Sequence, residues 1–326
     1  MPLGGFRQSP VGQEPSKVRP LRRVCRRRGP NRPIRVIVPL PAGSGLDVDT
    51  RGVMAELSKV LGQPVIVENR PGASGTLGVS AAARAAPDGY TLVVGTPTTL
   101  FLMPRLSANV PYDVDRDLVP ISTMGFLNYA LLAHGALPQR NVTEVIAQAR
   151  QHPGSLRAAT YGVGSGQHVA GEWFAAAAGI TLDFIPYSTS NPYTELIGGQ
   201  VQLMFDALPA SIGNVRAGKL KLLALTGTTR HPNFPDIPTF AEAGIMDFNP
   251  TAFNSLLAPA GTPRAIVDTL AAALKRAVTL NPALVDKWHS NGGELKAMTA
   301  DKFGAFLKAE SAKWAAAIRR GNIRIE

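Results

Sequence analysis

Pro39-Leu40-Pro41-Ala42-Gly43-Ser44-Gly45-Leu46-Asp47 follows an apolar run, Ile34 to Val38, and precedes a helical pattern over about residues 47–61. Glycines at 43 and 45 let the backbone turn sharply and expose its N–H groups. Asp47 is placed to cap the next helix, so the loop offers donors to an anion at a helix N-terminus. The helix puts Val53, Leu57, Val60 and Leu61 on one face and stops at Gly62, with Pro64 beyond it.

The same alternation continues downstream, which predicts parallel βαβ units. Val65-Ile66-Val67 reads as a strand, and Asn69 to Gly75 as a second glycine-rich turn ahead of an Ala-rich helix over 77–86. Pro87-Asp88-Gly89 is a turn signal, and Tyr90 to Gly95 the next strand. Thr96-Pro97-Thr98-Thr99 places hydroxyls at that strand's end, where open α/β sheets take ligands; a helix cap at Thr98 or Thr99 accounts for them equally. Ile121 to Ala133 is a long extended run suited to passing from one domain to another, and Val142 to Gln151 is a helix.

Leu156 to Thr160 reads as a strand that delivers Tyr161-Gly162-Val163-Gly164-Ser165-Gly166-Gln167-His168 to a helix ending near Gly179. This repeats the opening device, so two loops are expected to form two halves of one site. Val201 to Phe205 is a strand ending at Asp206 in an apolar setting, and Lys219 to Thr226 another. Pro235 to Ala243 reads as a loop running into a short helix, Ser255 to Pro259 as the second crossing, and 263–280 and 301–318 as amphipathic helices.

The net charge of +11 is concentrated at the start: residues 1–35 carry ten Lys and Arg against Glu14 alone, leaving the rest close to neutral. Residues 1–33 lack periodicity and are expected to be disordered, and no basic region followed by an apolar stretch of signal-peptide type is readable in residues 1–35. No aromatic or amphipathic pattern interleaves the charges, so nucleic acid is not an expected partner. A helix-turn-helix needs more regular sequence than this tail offers. The single cysteine, Cys25, has no intrachain partner for a disulfide or a Cys-based metal site.

Catalysis would need a nucleophile with a base, a carboxylate pair or a metal set. The five histidines are scattered without metal-ligand spacing, no Gly-x-Ser-x-Gly elbow is present, and neither glycine loop holds a Gly-Lys-Ser/Thr. Gly162-Val163-Gly164-Ser165-Gly166 has the wrong third spacing for a dinucleotide fingerprint. Neutral donors remain. His168 is suited either to donate to a ligand or to cap its helix, and Asp47 to cap first and touch a ligand through water second. Asp206 is suited to a salt bridge, to holding a loop or to accepting from a ligand, while Trp173 and Phe253 fit a core better than a ligand platform.

Several motifs together resemble the Bug receptors, the substrate-binding proteins of tripartite tricarboxylate transporters. They are Pro33 to Pro39, the loop Pro41 to Asp47, Glu68 to Ala73, Ala86 to Tyr90, Gly198 to Val201, Leu203 to Asp206, Ala217 to Leu220 and Leu257 to Pro263. The resemblance spans about residues 31–318. It implies an α/β fold of the two-lobed periplasmic binding protein type (type II), each lobe a mainly parallel sheet flanked by helices, with two interdomain crossings. The division it implies is a disordered basic tail over 1–30, lobe 1 over 31–128 plus 255–326, and lobe 2 over 129–254.

By that resemblance the chain is a periplasmic, monomeric receptor, not an enzyme, with no cofactor or metal. It would bind a small carboxylate, di- or tricarboxylic or aromatic, and hand it to the membrane permease subunits of the transporter. The ligand-binding residues implied by position are Ala42, Gly43, Ser44 and Asp47, then Thr98, Gly164, Ser165 and His168, with Tyr187, Ser188 and Asp206. An enzyme or a ligand-sensing module on the same bilobal fold is the alternative. The chain departs from the family pattern at Ser188-Thr189 and at Phe253-Asn254-Ser255, both near the expected cleft.

Overall fold

The computed structural model describes Met1, residues 30–187, 190–321 and Ile323. The basic tail and Ser188 therefore lie outside the described residues, apart from Met1 and Pro30.

The first lobe begins with β1 (Ile34–Val38), α1 (Gly45–Leu61), β2 (Val65–Asn69), α2 (Thr76–Ala83) and β3 (Thr91–Gly95). A π-helical turn (Thr98–Leu102) runs into α3 (Met103–Leu106), followed by α4 (Val114–Asp117) and β4 (Leu118–Leu127). The second lobe holds β5 (Tyr129–His134), α5 (Val142–Gln151), β6 (Arg157–Thr160), α6 (Gly166–Ala178) and β7 (Asp183–Pro186). It continues with α7 (Pro192–Ile197), β8 (Leu203–Ala207), α8 (Leu208–Arg216) and β9 (Leu220–Leu225). The chain then returns through β10 (Ala252–Pro259), α9 (Arg264–Leu280), α10 (Pro282–Ser290), β11 (Gly293–Leu295) and α11 (Ala300–Arg320).

Two sheets form, one per lobe, in the orders β11-β4-β10-β3-β1-β2 and β7-β6-β8-β5-β9. Strand β1 is apolar and buried along most of its length because it lies between β2 and β3, parallel to both. The sheets are mixed, where the sequence suggested mainly parallel ones. Strand β10 is antiparallel to β3 and β4, and β5 is antiparallel to β8 and β9. The cause is the double crossing: β4 passes into β5 through Asn128 alone, and the strand that comes back must run against those that went out.

The outward crossing falls inside the expected extended run. The returning strand starts at Ala252, three residues before the expected crossing, and β10 is buried at every position within the first sheet. The expected short helix after Pro235 does not form. Thr239 and Glu242 cap each other reciprocally, Thr239 N–H to Glu242 Oε2 at 2.8 Å and Glu242 N–H to Thr239 Oγ1 at 3.1 Å. Gly244, at φ 86°, ends the turn at once.

Trp173 and Phe253 are core residues, 5% and 1% exposed. Phe253 packs among Phe101, Phe126, Phe303 and Phe306, while Trp173 meets Trp314 of α11 edge-on at 5.6 Å. Helix α11, expected to close the first lobe, thus also packs on α6 of the second.

Candidate functional site

The loop between β1 and α1 is held from inside. Ser44, not Asp47, is the N-cap: its Oγ accepts the Asp47 N–H at 3.3 Å. Asp47 turns back instead. Its Oδ2 accepts the Gly43 N–H at 2.9 Å, and its Oδ1 accepts Arg51 Nε and Asn69 Nδ2, each at 2.9 Å. Burial opposes ionisation of Asp47, but these donors hold its carboxyl below the usual range. Gly43 sits at φ 81°, which an L side chain resists. Among the described residues, no acceptor takes the N–H groups of Gly45 and Leu46, the first two of the helix.

The loop between β6 and α6 copies this geometry. Ser165 is the N-cap, with φ −62° and ψ 155° against −64° and 157° at Ser44, and its Oγ accepts the His168 N–H at 3.2 Å. Gly164, at φ 76°, donates its N–H to His168 Nδ1 at 3.1 Å, as Gly43 does to Asp47. His168 therefore carries its proton on Nε2, and burial pushes its pKa down, which keeps the ring neutral. Its ring packs edge-on against Phe184 at 5.5 Å. The N–H groups of Gly166 and Gln167 again have no acceptor among the described residues.

Close approaches at two glycines show what packs beside the loops. A Cβ on Gly75, in the second glycine-rich turn, would lie 2.9 Å from Thr99 Cγ2 and 3.3 Å from Pro39 O. Ala73 and Ser74 in that turn have φ of 47° and 54°, a backbone strain for non-glycine residues. A Cβ on Gly166 would lie 2.8 Å from Tyr129 OH and 3.2 Å from Thr98 Oγ1, so the π-helical turn of lobe 1 reaches the start of α6. The two threonines separate here. Thr99 Oγ1 accepts the Thr96 N–H at 3.1 Å, whereas the half-buried Thr98 hydroxyl makes no hydrogen bond among the described residues.

Asp206 is 3% exposed and fully engaged by the protein. Tyr161 OH and Tyr193 OH donate to its Oδ2 at 2.9 and 2.8 Å, and Gln167 Nε2 and the Ala207 N–H to its Oδ1 at 3.0 and 2.7 Å. Burial pushes its pKa up, with these donors opposing. The cluster ties β8 to loop 161–168 and to α7, the loop-holding role among those open to it. Tyr187 donates its N–H to Thr160 O at 2.9 Å beside the second loop, while its ring packs on the apolar cluster around Tyr193 and Leu196.

The backbone of Ala42, Gly43, Ser44, Gly164 and Ser165 thus shapes two matched helix N-termini, with Thr98 beside the second. The rings and carboxylates of Asp47, His168 and Asp206 serve the loops themselves. Tyr129, Tyr161, Gln167 and Tyr193 were not singled out in the sequence. Only the adjacency of Tyr161 and Gln167 to the glycine loop was visible there. No group of three His, Cys, Asp or Glu among the described residues could hold a metal, and no described helix is long and apolar enough to cross a membrane.

Such an arrangement, two matched serine-capped helix N-termini, supplies anion-binding amides without a cationic side chain. Residues 50–323 match the tripartite tricarboxylate transporter family receptor. Protein BugT of Bordetella pertussis is 34% identical over 303 residues, covering 91% of each chain. Among solved structures, the periplasmic binding protein BugD superposes with a TM-score of 0.81 at 29% identity, covering 91% of this chain and all of BugD. R. palustris Rpa4515, solved with adipate, gives 0.84 at 29% identity over 90% of this chain and 99% of its own. The chain belongs to the tripartite tricarboxylate transporter receptor family, the Bug-type periplasmic solute-binding proteins.

Proposed function

We propose that this protein is an extracytoplasmic receptor that closes its lobes on a small carboxylate, a di- or tricarboxylate or an aromatic acid, and delivers it to the permease of a tripartite tricarboxylate transporter. The observation that carries this reading is the matched pair of loops. Each ends in a serine-capped helix whose first two N–H groups, at Gly45 and Leu46 and at Gly166 and Gln167, have no acceptor among the described residues. Oriented amides and helix N-termini stabilise negative charge in a desolvated cleft without Arg or Lys. That a relative was solved with adipate supports the same ligand chemistry.

Lobe closure would supply burial, and a permease could then distinguish loaded from empty receptor. The protein works in the periplasm on this reading and needs neither cofactor nor metal. Affinity is expected at micromolar or tighter, about −8 kcal/mol or better. The test is calorimetry against adipate, malate, citrate and benzoate, with adipamide as the uncharged control. Binding of an acid and not of the amide supports the reading. An absence of binding to every acid, with no shift in melting temperature, refutes it.

A further inference from the structure

Away from both glycine loops, lobe 2 closes on the end of a lobe 1 helix. Helix α10 is anchored in lobe 1 by Trp288, which is buried among that lobe's apolar residues. Two of its last carbonyls take donors from across the seam: Asn233 Nδ2 donates to His289 O at 2.7 Å, and Arg216 Nη2 to Ser290 O at 3.1 Å. Donors suit this end of a helix, where carbonyls lack intrahelical partners and the dipole is negative. Leu208 of α8 packs directly against Gly292 just beyond.

The Asn233 arm is presented by a tight turn, His231-Pro232-Asn233-Phe234, in the loop after β9. The Phe234 N–H donates to His231 O at 2.9 Å and closes the turn, while Phe234 and Ile237 seat the loop on the apolar cluster of lobe 2. The half-buried His231 ring holds the turn from inside. Its Nδ1 accepts the Asn233 N–H at 3.1 Å, and its face meets Phe234 at 5.8 Å. An Nδ1 that accepts carries no proton, so this bond exists only for the neutral imidazole.

The titratable and charged groups on the elements that meet here are His289, Lys287 and Asp286 on α10, Arg216 on α8, and Asp236 with the Arg230–Glu242 ion pair in the loop itself. Behind α10, Lys287 faces Asp49 of α1, whose carboxyl burial pushes up to about 6. Burial, and then the charge of His289, pushes the His231 pKa down.

We propose that His231 is a pH-sensitive latch between the lobes: once protonated, its ring no longer accepts the Asn233 N–H, the turn stops presenting Asn233 to α10, and the seam loosens. The folded-state pKa lies below the usual value of about 6.5, so the latch is whole above that pH and is lost as pH falls through the lower folded value. The Arg216 contact does not titrate in this range, so acid loosens the seam without abolishing it. The device acts on the empty receptor and does not depend on which ligand the protein takes.

The test is a spin-label distance measurement across the seam in ligand-free protein, between Ala217→Cys at the end of α8 and Ala283→Cys in α10, both exposed positions, with Cys25→Ser. In this parent protein a longer-distance population should grow about twofold to tenfold between about pH 7.5 and about pH 5, the net worth of one hydrogen bond. His231→Asn supplies an Oδ1 that accepts the same N–H and does not titrate. It should keep the distribution of pH 7.5 throughout, although Asp49, His168 and His289 still titrate in it. Asn233→Ala should show the acid distribution already at pH 7.5. A parent that does not respond to pH, a His231→Asn protein that responds as the parent does, or an Asn233→Ala protein that matches the parent at pH 7.5 overturns the proposal. Thermal melts establish that each variant is folded, and His231→Gln replaces His231→Asn should the latter not fold.

Discussion

Replacing Gly166 by alanine separates the fold from the site. Gly166 is the first residue of α6 and does not use a positive φ, so its backbone accepts a side chain. Alanine at a helical position gains about 0.5–1 kcal/mol over glycine. Against that, the new methyl would stand 2.8 Å from Tyr129 OH and 3.2 Å from Thr98 Oγ1. Unbonded heavy atoms prefer about 3.5–4.0 Å, so both neighbours must yield by a few tenths of an ångström or more, an overpacking cost of about 1–3 kcal/mol. The net expectation is a stability loss of at most about 2.5 kcal/mol in a protein that remains folded. Ligand binding should suffer more, because the methyl pushes Tyr129 OH and Thr98 Oγ1 aside next to the free Gly166 and Gln167 amides that the carboxylate reading gives to the ligand. A loss of at least tenfold is expected, about 1.4 kcal/mol. Thermal melts and calorimetry with adipate read the two effects separately. Gly45→Ala, at the equivalent position of the first loop, meets nothing within 4 Å and calibrates the stability effect of alanine alone. Adipate binding by Gly166→Ala within twofold of wild type would refute the assignment of the α6 N-terminus to the ligand.

Asp206→Ala removes the acceptor of four donors and leaves Tyr161, Tyr193 and Gln167 unpaired. A loss of at least about 3 kcal/mol is expected in urea unfolding, about 1–3 kcal/mol for each buried donor left without its acceptor, and a loss below 1 kcal/mol would show that the cluster does not hold loop 161–168. His168 is neutral in the fold with its pKa lowered by burial. The unfolded chain therefore takes up the proton first: the contribution is full above about pH 6.5 and is lost as pH falls from there through the folded value. Melting temperatures of wild type and His168→Asn between pH 7.5 and 5 should converge as the pH drops. Parallel curves would remove His168 from the account.

Much of this protein was legible in sequence because its signals are local. Glycine is needed where φ is positive, at 43 and 164, and apolar residues recur at helical spacing in α1, α5 and α9; the serine caps at 44 and 165 are as local but were passed over for Asp47 and His168. Helix α5 spans Val142–Gln151 as read. That the two loops repeat one geometry was equally readable, since each encodes its own turn within eight residues.

The tertiary structure decided where each polar group spends its hydrogen bonds. Asp47 was read as a cap and proves to brace its own loop, because Arg51 and Asn69 reach it from α1 and β2. Thr98 and Thr99 were indistinguishable on paper; only the fold spends one hydroxyl on Thr96 and leaves the other beside Gly166. Asp206 had no visible partner, since its donors come from three other elements and meet only when lobe 2 packs. Strand direction followed the same logic, set by how the chain crosses and returns and by no property of the strands themselves. Local backbone preference is encoded residue by residue, whereas a buried group's partner is fixed by desolvation and distance, and both exist only once the chain is folded.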